Sequence, residues 1–245
     1  MTTKRISPVG TALSQGAIAG GIAVLFSLMG MVESFNDRDI ISGVLSLGMF
    51  LILAVVVALG SVTSSRLASS RPGTRLASSA LTGATAELFL VLLVLLGQTV
   101  NLRPVFPNAS PELWTILQFG RTAPLSYVVM LVVGAVAGFL GAALTLAPRR
   151  VRNAVLLGLV AVVLVGMLED LITTTMKANQ ALAASKPVAA FMKWLLASGI
   201  QTGLTKAGAV AVFLVFTLVG YVWTPLRTAA RTRADRLPPR RRHTL

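Results

Sequence analysis

The 245-residue chain has no cysteine and a single histidine, His243, in a polar segment three residues from its end. The first absence excludes disulfides, thiolate metal sites and cysteine nucleophiles. The second leaves histidine–serine dyads, histidine metal clusters and haem ligation without their usual residue. Acids are scarce as well, eight against 22 lysines and arginines, for a formal net charge of +14. Charged residues make up 12% of the chain and the mean hydropathy is +0.80, whereas roughly a quarter of a soluble domain is charged. No glycine-rich phosphate loop of the Walker type occurs, so the chain itself is not expected to hydrolyse nucleotide. No enzyme, cofactor or metal is implied. The positive charge would suit nucleic acid if the cations shared one folded face, but they flank apolar runs, so no nucleic-acid partner is expected.

What the sequence does have is long apolar runs. Charge-free stretches cover Ile6–Val32, Ile40–Ser65, Thr122–Pro148 and Ala207–Leu226. A fifth, Leu76–Leu102, is broken only by Glu87, and a shorter sixth, Asn153–Leu168, ends at Glu169 and Asp170. About 20 apolar helical residues cross a hydrocarbon core of about 30 Å, and none of the runs alternates as a barrel strand would. The expected fold is all-α, a six-transmembrane-helix bundle over residues 1–226. Its spans are placed at Thr11–Val32, Ile40–Val62, Ser78–Val100, Leu125–Leu146, Ala154–Met176 and Leu204–Trp223. Lys4 and Arg5 precede a run too long for a signal-peptide core, so the first helix is expected to be retained. Residues 227–245, with seven arginines and the pair Pro238-Pro239, read as a basic disordered tail lying near anionic lipid.

Orientation follows from the cations. With the N-terminus inside, inner segments hold 15 of them: Lys4, Arg5, Arg66, Arg71, Arg75, Arg149, Arg150, Arg152 and the seven tail arginines. The outer segments hold 7. Insertion retains cationic loops in the cytoplasm, so both termini are expected there, in a bacterial inner membrane. On the outer side, Ser110-Pro111-Glu112 has the residues of a helix start and opens a short helix, Pro111–Phe119, expected to lie in the interface with Leu113, Trp114 and Leu117. Pro187–Ser198, anchored by Phe191 and Trp194, is a second such candidate. Gly30-Met31-Val32-Glu33 is echoed by Gly166-Met167-Leu168-Glu169, which suggests three outward-pointing helical hairpins.

Three groups of residues are candidates for function. Glu87 lies about ten residues into the third span, beside small residues that let another helix approach, and intramembrane acids face protein or water. It is either a protonatable site on a transport path or an acid hydrogen-bonded to a serine, threonine or glutamine of a packed neighbour. The outer acids Asp37, Asp39, Glu169 and Asp170 are candidate contacts for a cation or a partner, or solvated helix ends. Gly16-x-x-x-Gly20 and Gly134-x-x-x-Gly138 give two helices flat faces for packing within the bundle or against another subunit.

Gly30–Gly43 (GMVESFNDRDIISG) and Asn101–Gly120 (NLRPVFPNASPELWTILQFG) resemble segments of bacterial branched-chain amino-acid ABC transporter permeases, in particular an amino-terminal membrane region of longer members. The resemblance implies import of small amino acids alongside a periplasmic binding protein and cytoplasmic ATPase subunits. The polar-glycine helices of the permease core are not found in this chain. The expectation is a membrane component of such an importer, embedded in the lipid bilayer with other membrane subunits. A non-transporting scaffold and a proton-coupled carrier using Glu87 are the alternatives.

Overall fold

The computed structural model describes residues 7–41, 44–178, 190 and 206–235, with the backbone alone for 169, 170, 172–178 and 223–235. In chain order the helices are α1 (Pro8–Leu28), α2 (Met31–Ser34), α3 (Leu47–Arg66), α4 (Pro72–Thr99), α5 (Pro111–Leu117), α6 (Leu125–Leu146), α7 (Arg149–Ala178) and α8 (Lys206–Asp235). A two-stranded antiparallel hairpin, β1 (Asp39–Ile41) and β2 (Leu45–Ser46), separates α2 from α3. Five helices are long and apolar enough to cross a membrane: α1, α3, α4, α6 and the part of α7 up to Leu168. They fit a multi-pass membrane protein. The apolar part of α8 with described side chains, Lys206–Val222, is shorter than these five.

Local chemistry sets most helix ends. Ser7, Ser46 and Ser110 cap α1, α3 and α5, each hydroxyl accepting a hydrogen bond from the amide three residues on. Pro8, Pro72 and Pro111 stand at first-turn positions, where the missing N–H costs nothing. The first helix stops at Leu28, short of the expected Val32, because Gly30 turns left-handed at φ 81°. Here the structure departs from the echo between Gly30 and Gly166. Gly166 sits inside α7, which runs straight through it, whereas Gly30 ends one helix and begins the short α2. The second span likewise begins at Leu47 and not at Ile40, since Asp39–Ile41 is spent on the β-hairpin. The fourth span, Leu125–Leu146, lies where the sequence puts it.

Helices α1, α3, α4 and α6 form one packed unit, in which α3 and α4 touch each other and both flanking helices. At one end, called here the arginine end, α1 and α4 begin and α3 and α6 stop. Thr82 Oγ1 donates to the Ala12 carbonyl at 3.3 Å, and Ser79 Oγ donates to the Gly60 carbonyl at 2.8 Å. Helices α7 and α8 pair with each other, and α7 meets the rest chiefly at β1. The small apolar cluster at that joint contains Ile40, Leu47, Val162 and Ala209. The α8 backbone is helical to Asp235, nine residues past Leu226, where the basic tail was expected to begin. Residues 236–245 and all of the Pro187–Ser198 candidate except position 190 lie outside the described residues.

The end opposite the arginines, the expected outer end, holds the largest difference from expectation. Helix α5 begins at the predicted capping serine, and its apolar side chains are buried against the other helices. Leu113, Leu117 and Trp114 are 0%, 1% and 9% exposed, packed with Ala23, Val32, Ile52, Val94 and Met130. The Trp114 ring covers Gly97 so closely that a methyl group on that glycine would overlap the indole. The short helix plugs the four-helix unit.

Candidate functional site

The buried stripe of α4 runs through Ser79, Thr82, Gly83, Ala86, Glu87, Leu90 and Val94, spaced three and four residues apart along one face. Its first half is hydroxyl-rich and its second half leucine-rich, and Glu87 sits where one gives way to the other. The glutamate is 3% exposed. Across from it on α6 stands Gly134, where an added Cβ would collide with Glu87 Cγ and the Gly83 carbonyl. Gly83 in turn faces the Gly134 carbonyl, and Gly138 faces the Ser79 carbonyl. These glycines bring two backbones together beside the acid, and the acid's stem fills the gap that Gly134 leaves.

Around this contact the other small residues do similar work. Gly16 and Gly20 of α1 lie against Thr82, Thr85, Ala86 and Phe89 of α4, and Gly141 lies against the Val57 carbonyl of α3. Gly60 of α3 meets the Gly138 backbone, so Gly138 touches both α3 and α4. In lipid there is no water to drive helices together, so association depends on such close packing and on interhelical hydrogen bonds.

The hydrogen bonds gather below Glu87, toward the arginine end. Thr63 Oγ1 and Thr82 Oγ1 are 3.0 Å apart, and Ser64 Oγ and Thr145 Oγ1 are 2.6 Å apart. Thr82 is five residues before Glu87, about 7.5 Å lower along the helix. Among the described residues the Glu87 carboxyl has no hydrogen-bond or ion-pair partner, so the expected serine, threonine or glutamine does not reach it.

Asp37 and Asp39 border different recesses. Asp37 is exposed beside an open groove of about 560 Å³, lined also by Glu33, Asn36, Pro111, Glu112, Thr115 and Ile116. Asp39 lies in β1 and borders a separate small recess of about 20 Å³ with Arg38, Ile40, Leu47 and Met167. The α7 backbone carries Glu169 and Asp170, whose side chains lie outside the described residues. Among the described residues no three histidines, cysteines or acids are arranged to hold a metal ion.

One acid outside the predicted site has a defined structural role. Glu33 Oε1 accepts a hydrogen bond from Ser110 Oγ at 2.9 Å, while the same hydroxyl oxygen accepts from Leu113 N at 3.0 Å. The link joins α2 to the start of α5 across 77 positions of sequence. Its only signal in the sequence is the capping serine, which says nothing about a partner so distant. At the same end Tyr127 Oη donates to Gln98 Oε1 at 3.1 Å, joining α6 to the end of α4. No family model, curated protein or solved structure matches the chain.

Proposed function

We propose that this chain is a non-catalytic membrane subunit of a transport assembly, with a branched-chain amino-acid importer of the ABC type as that assembly. The importer enters through the likeness of Gly30–Gly43 and Asn101–Gly120 to such permeases. Both stretches lie at the outer end, where α2, α5 and the intervening loop join through Glu33 and Ser110. In this reading α8 is the sixth span, the arginine end faces the cytoplasm and the acidic end faces outward. An ATPase and a periplasmic binding protein then supply the nucleotide site and the substrate site.

The observation that carries the subunit reading is the closure around Glu87. With Gly83 and Gly134 against each other's backbones and Leu113, Trp114 and Leu117 plugging the outer end, the four-helix unit is built as a solid support. The same closure favours the scaffold as the second reading and weighs against a carrier working through Glu87. Mild-detergent purification with identification of co-purifying subunits tests the importer: an ATPase and a binding protein are expected. Reconstituted alone, the chain is expected not to accumulate leucine, isoleucine or valine, with or without ATP. Uptake by the single purified chain under a proton gradient would overturn the proposal. Reporter fusions after Arg71, Asn108, Arg150, Lys186 and Arg236 should read in, out, in, out, in.

A further inference from the structure

At the arginine end, α3, α4 and α6 meet in one polar corner. Arg75 donates from Nε to the Ser64 carbonyl at 2.9 Å and to Ser64 Oγ at 3.2 Å, and Ser64 Oγ in turn pairs with Thr145. Ser64 is fully buried and Arg75 is half-buried, so the guanidinium is held in place at its inner edge. Its two terminal nitrogens have no partner among the described residues. Exposed arginines stand at the adjoining helix ends: Arg66 two residues past Ser64, Arg71 one helical turn before Arg75, and Arg149 and Arg150 where α6 gives way to α7. None of their side chains has a hydrogen-bond or ion-pair partner among the described residues. Of the carboxylates with described side chains, Glu33, Asp37, Asp39 and Glu112 belong to the opposite end and Glu87 lies in the middle of α4.

These cations, with no described carboxylate beside them, repel one another unless an anion joins them. All are arginines, whose planar fork matches two oxygens of one phosphate, and Arg75 keeps its terminal N–H pair for such a contact. The corner lies where the apolar runs of α3 and α6 end, which is the depth of lipid headgroups. We propose that Arg75, held by Ser64 and with Arg66, Arg71, Arg149 and Arg150 at the adjoining helix ends, binds the phosphate of an anionic phospholipid headgroup. The site needs only the membrane embedding of these helices and stands apart from the transport reading.

Native mass spectrometry after reconstitution in mixed phosphatidylglycerol and phosphatidylcholine tests it. The whole chain is expected to retain phosphatidylglycerol over phosphatidylcholine by about tenfold, as several cations at a charged surface would give. The pair R66Q and R149Q removes two side chains that bond nothing else described, so folding is spared, and the preference should fall severalfold. R75K keeps the charge without the fork and should also lower it, whereas R103Q at the opposite end should leave it unchanged. Equal retention of the two lipids, or a preference untouched by R66Q/R149Q, overturns the proposal. Binding of inorganic phosphate alone, with no preference between the lipids, would assign the corner to a free anion and also overturn it.

Discussion

The four-helix unit and the α7–α8 pair are both apolar helices joined through glycines, yet they are held together differently. In the unit, Gly83, Gly134, Gly138 and Gly141 each face a backbone carbonyl of a neighbouring helix. In the pair, Gly158 faces the Thr217 side chain and both the ring and the carbonyl of Phe213, and Gly220 faces the Leu157 side chain and Ala154. Backbone cannot move aside as a side chain can, and such contacts are more numerous in the unit than in the pair, where they are Gly158 with the Phe213 carbonyl and Gly220 with the Ala154 Cα. Exposure follows the same division. Ten residues of α4 are buried, whereas Ala209 is the only buried residue among those of α8 whose side chains are described. Close backbone packing makes the unit a fixed support, and the pair stands at its edge with most of its surface left for lipid or another subunit.

The largest effect that would sharpen this contrast is expected at the plug. Trp114→Ala removes a ring packed over Gly97 and should cost about 3–5 kcal/mol, read as a lower unfolding temperature in detergent. Tyr221→Ala on α8, at a position 52% exposed, should change little by the same measurement. Equal losses at the two sites would break the comparison.

Next come the glycines. Gly134→Ala drives a methyl group into Glu87 and the Gly83 carbonyl, and overpacking of this kind costs about 1–3 kcal/mol. Gly220→Ala places its Cβ 3.0 Å from Leu157 Cδ2 and 3.1 Å from Ala154 Cα. That crowding is offset by the higher helix propensity of alanine, and the net change should stay within about 1 kcal/mol. Size-exclusion profiles after a graded heat step would rank the two.

A smaller loss is expected at the serine that links α2 to α5. Ser110→Ala removes both the cap of α5 and the bond to Glu33, for about 1–2 kcal/mol, and should expose the Asn101–Gly120 segment to proteolysis before the helices unfold. The smallest effect concerns Glu87. With no partner to strand among the described residues, Glu87→Met, an unbranched side chain of similar length, should leave stability within about 1 kcal/mol of the starting protein or raise it. A loss above about 2 kcal/mol in equilibrium unfolding would reveal a polar partner that the packed geometry does not show.

How much of this was legible in the residues differs from element to element. Ser110-Pro111-Glu112 announced the start of α5, because a cap and a first-turn proline act within one helical turn. Its burial as a plug was not legible. An amphipathic short helix with a tryptophan has the same pattern whether it lies in the interface or closes a bundle, and only Gly97 on a separate helix decides between them. The β-hairpin over Asp39–Ser46 was hidden for a related reason: Ile40–Ser65 is charge-free throughout, and its apolar character does not mark where strand ends and helix begins. Glu87 was conspicuous as the one acid in its run, but its surroundings were not, since they come from α6 and from glycines nearly fifty residues away.

The sequence by itself determined that the chain is built from long apolar helices and which helix ends carry the arginines. These are local or compositional matters, settled by hydrocarbon thickness and the placement of charge in loops. Only the tertiary structure decided which small-residue faces meet, that α5 enters the bundle, that Glu87 stands against Gly134, and that Arg75 is tied to Ser64. The physical reason is that lipid is as apolar as a protein interior, so hydrophobic pattern does not distinguish the buried face of a membrane helix from its lipid face. That choice falls to shape and to a few hydrogen bonds, and both are made between residues far apart in the chain.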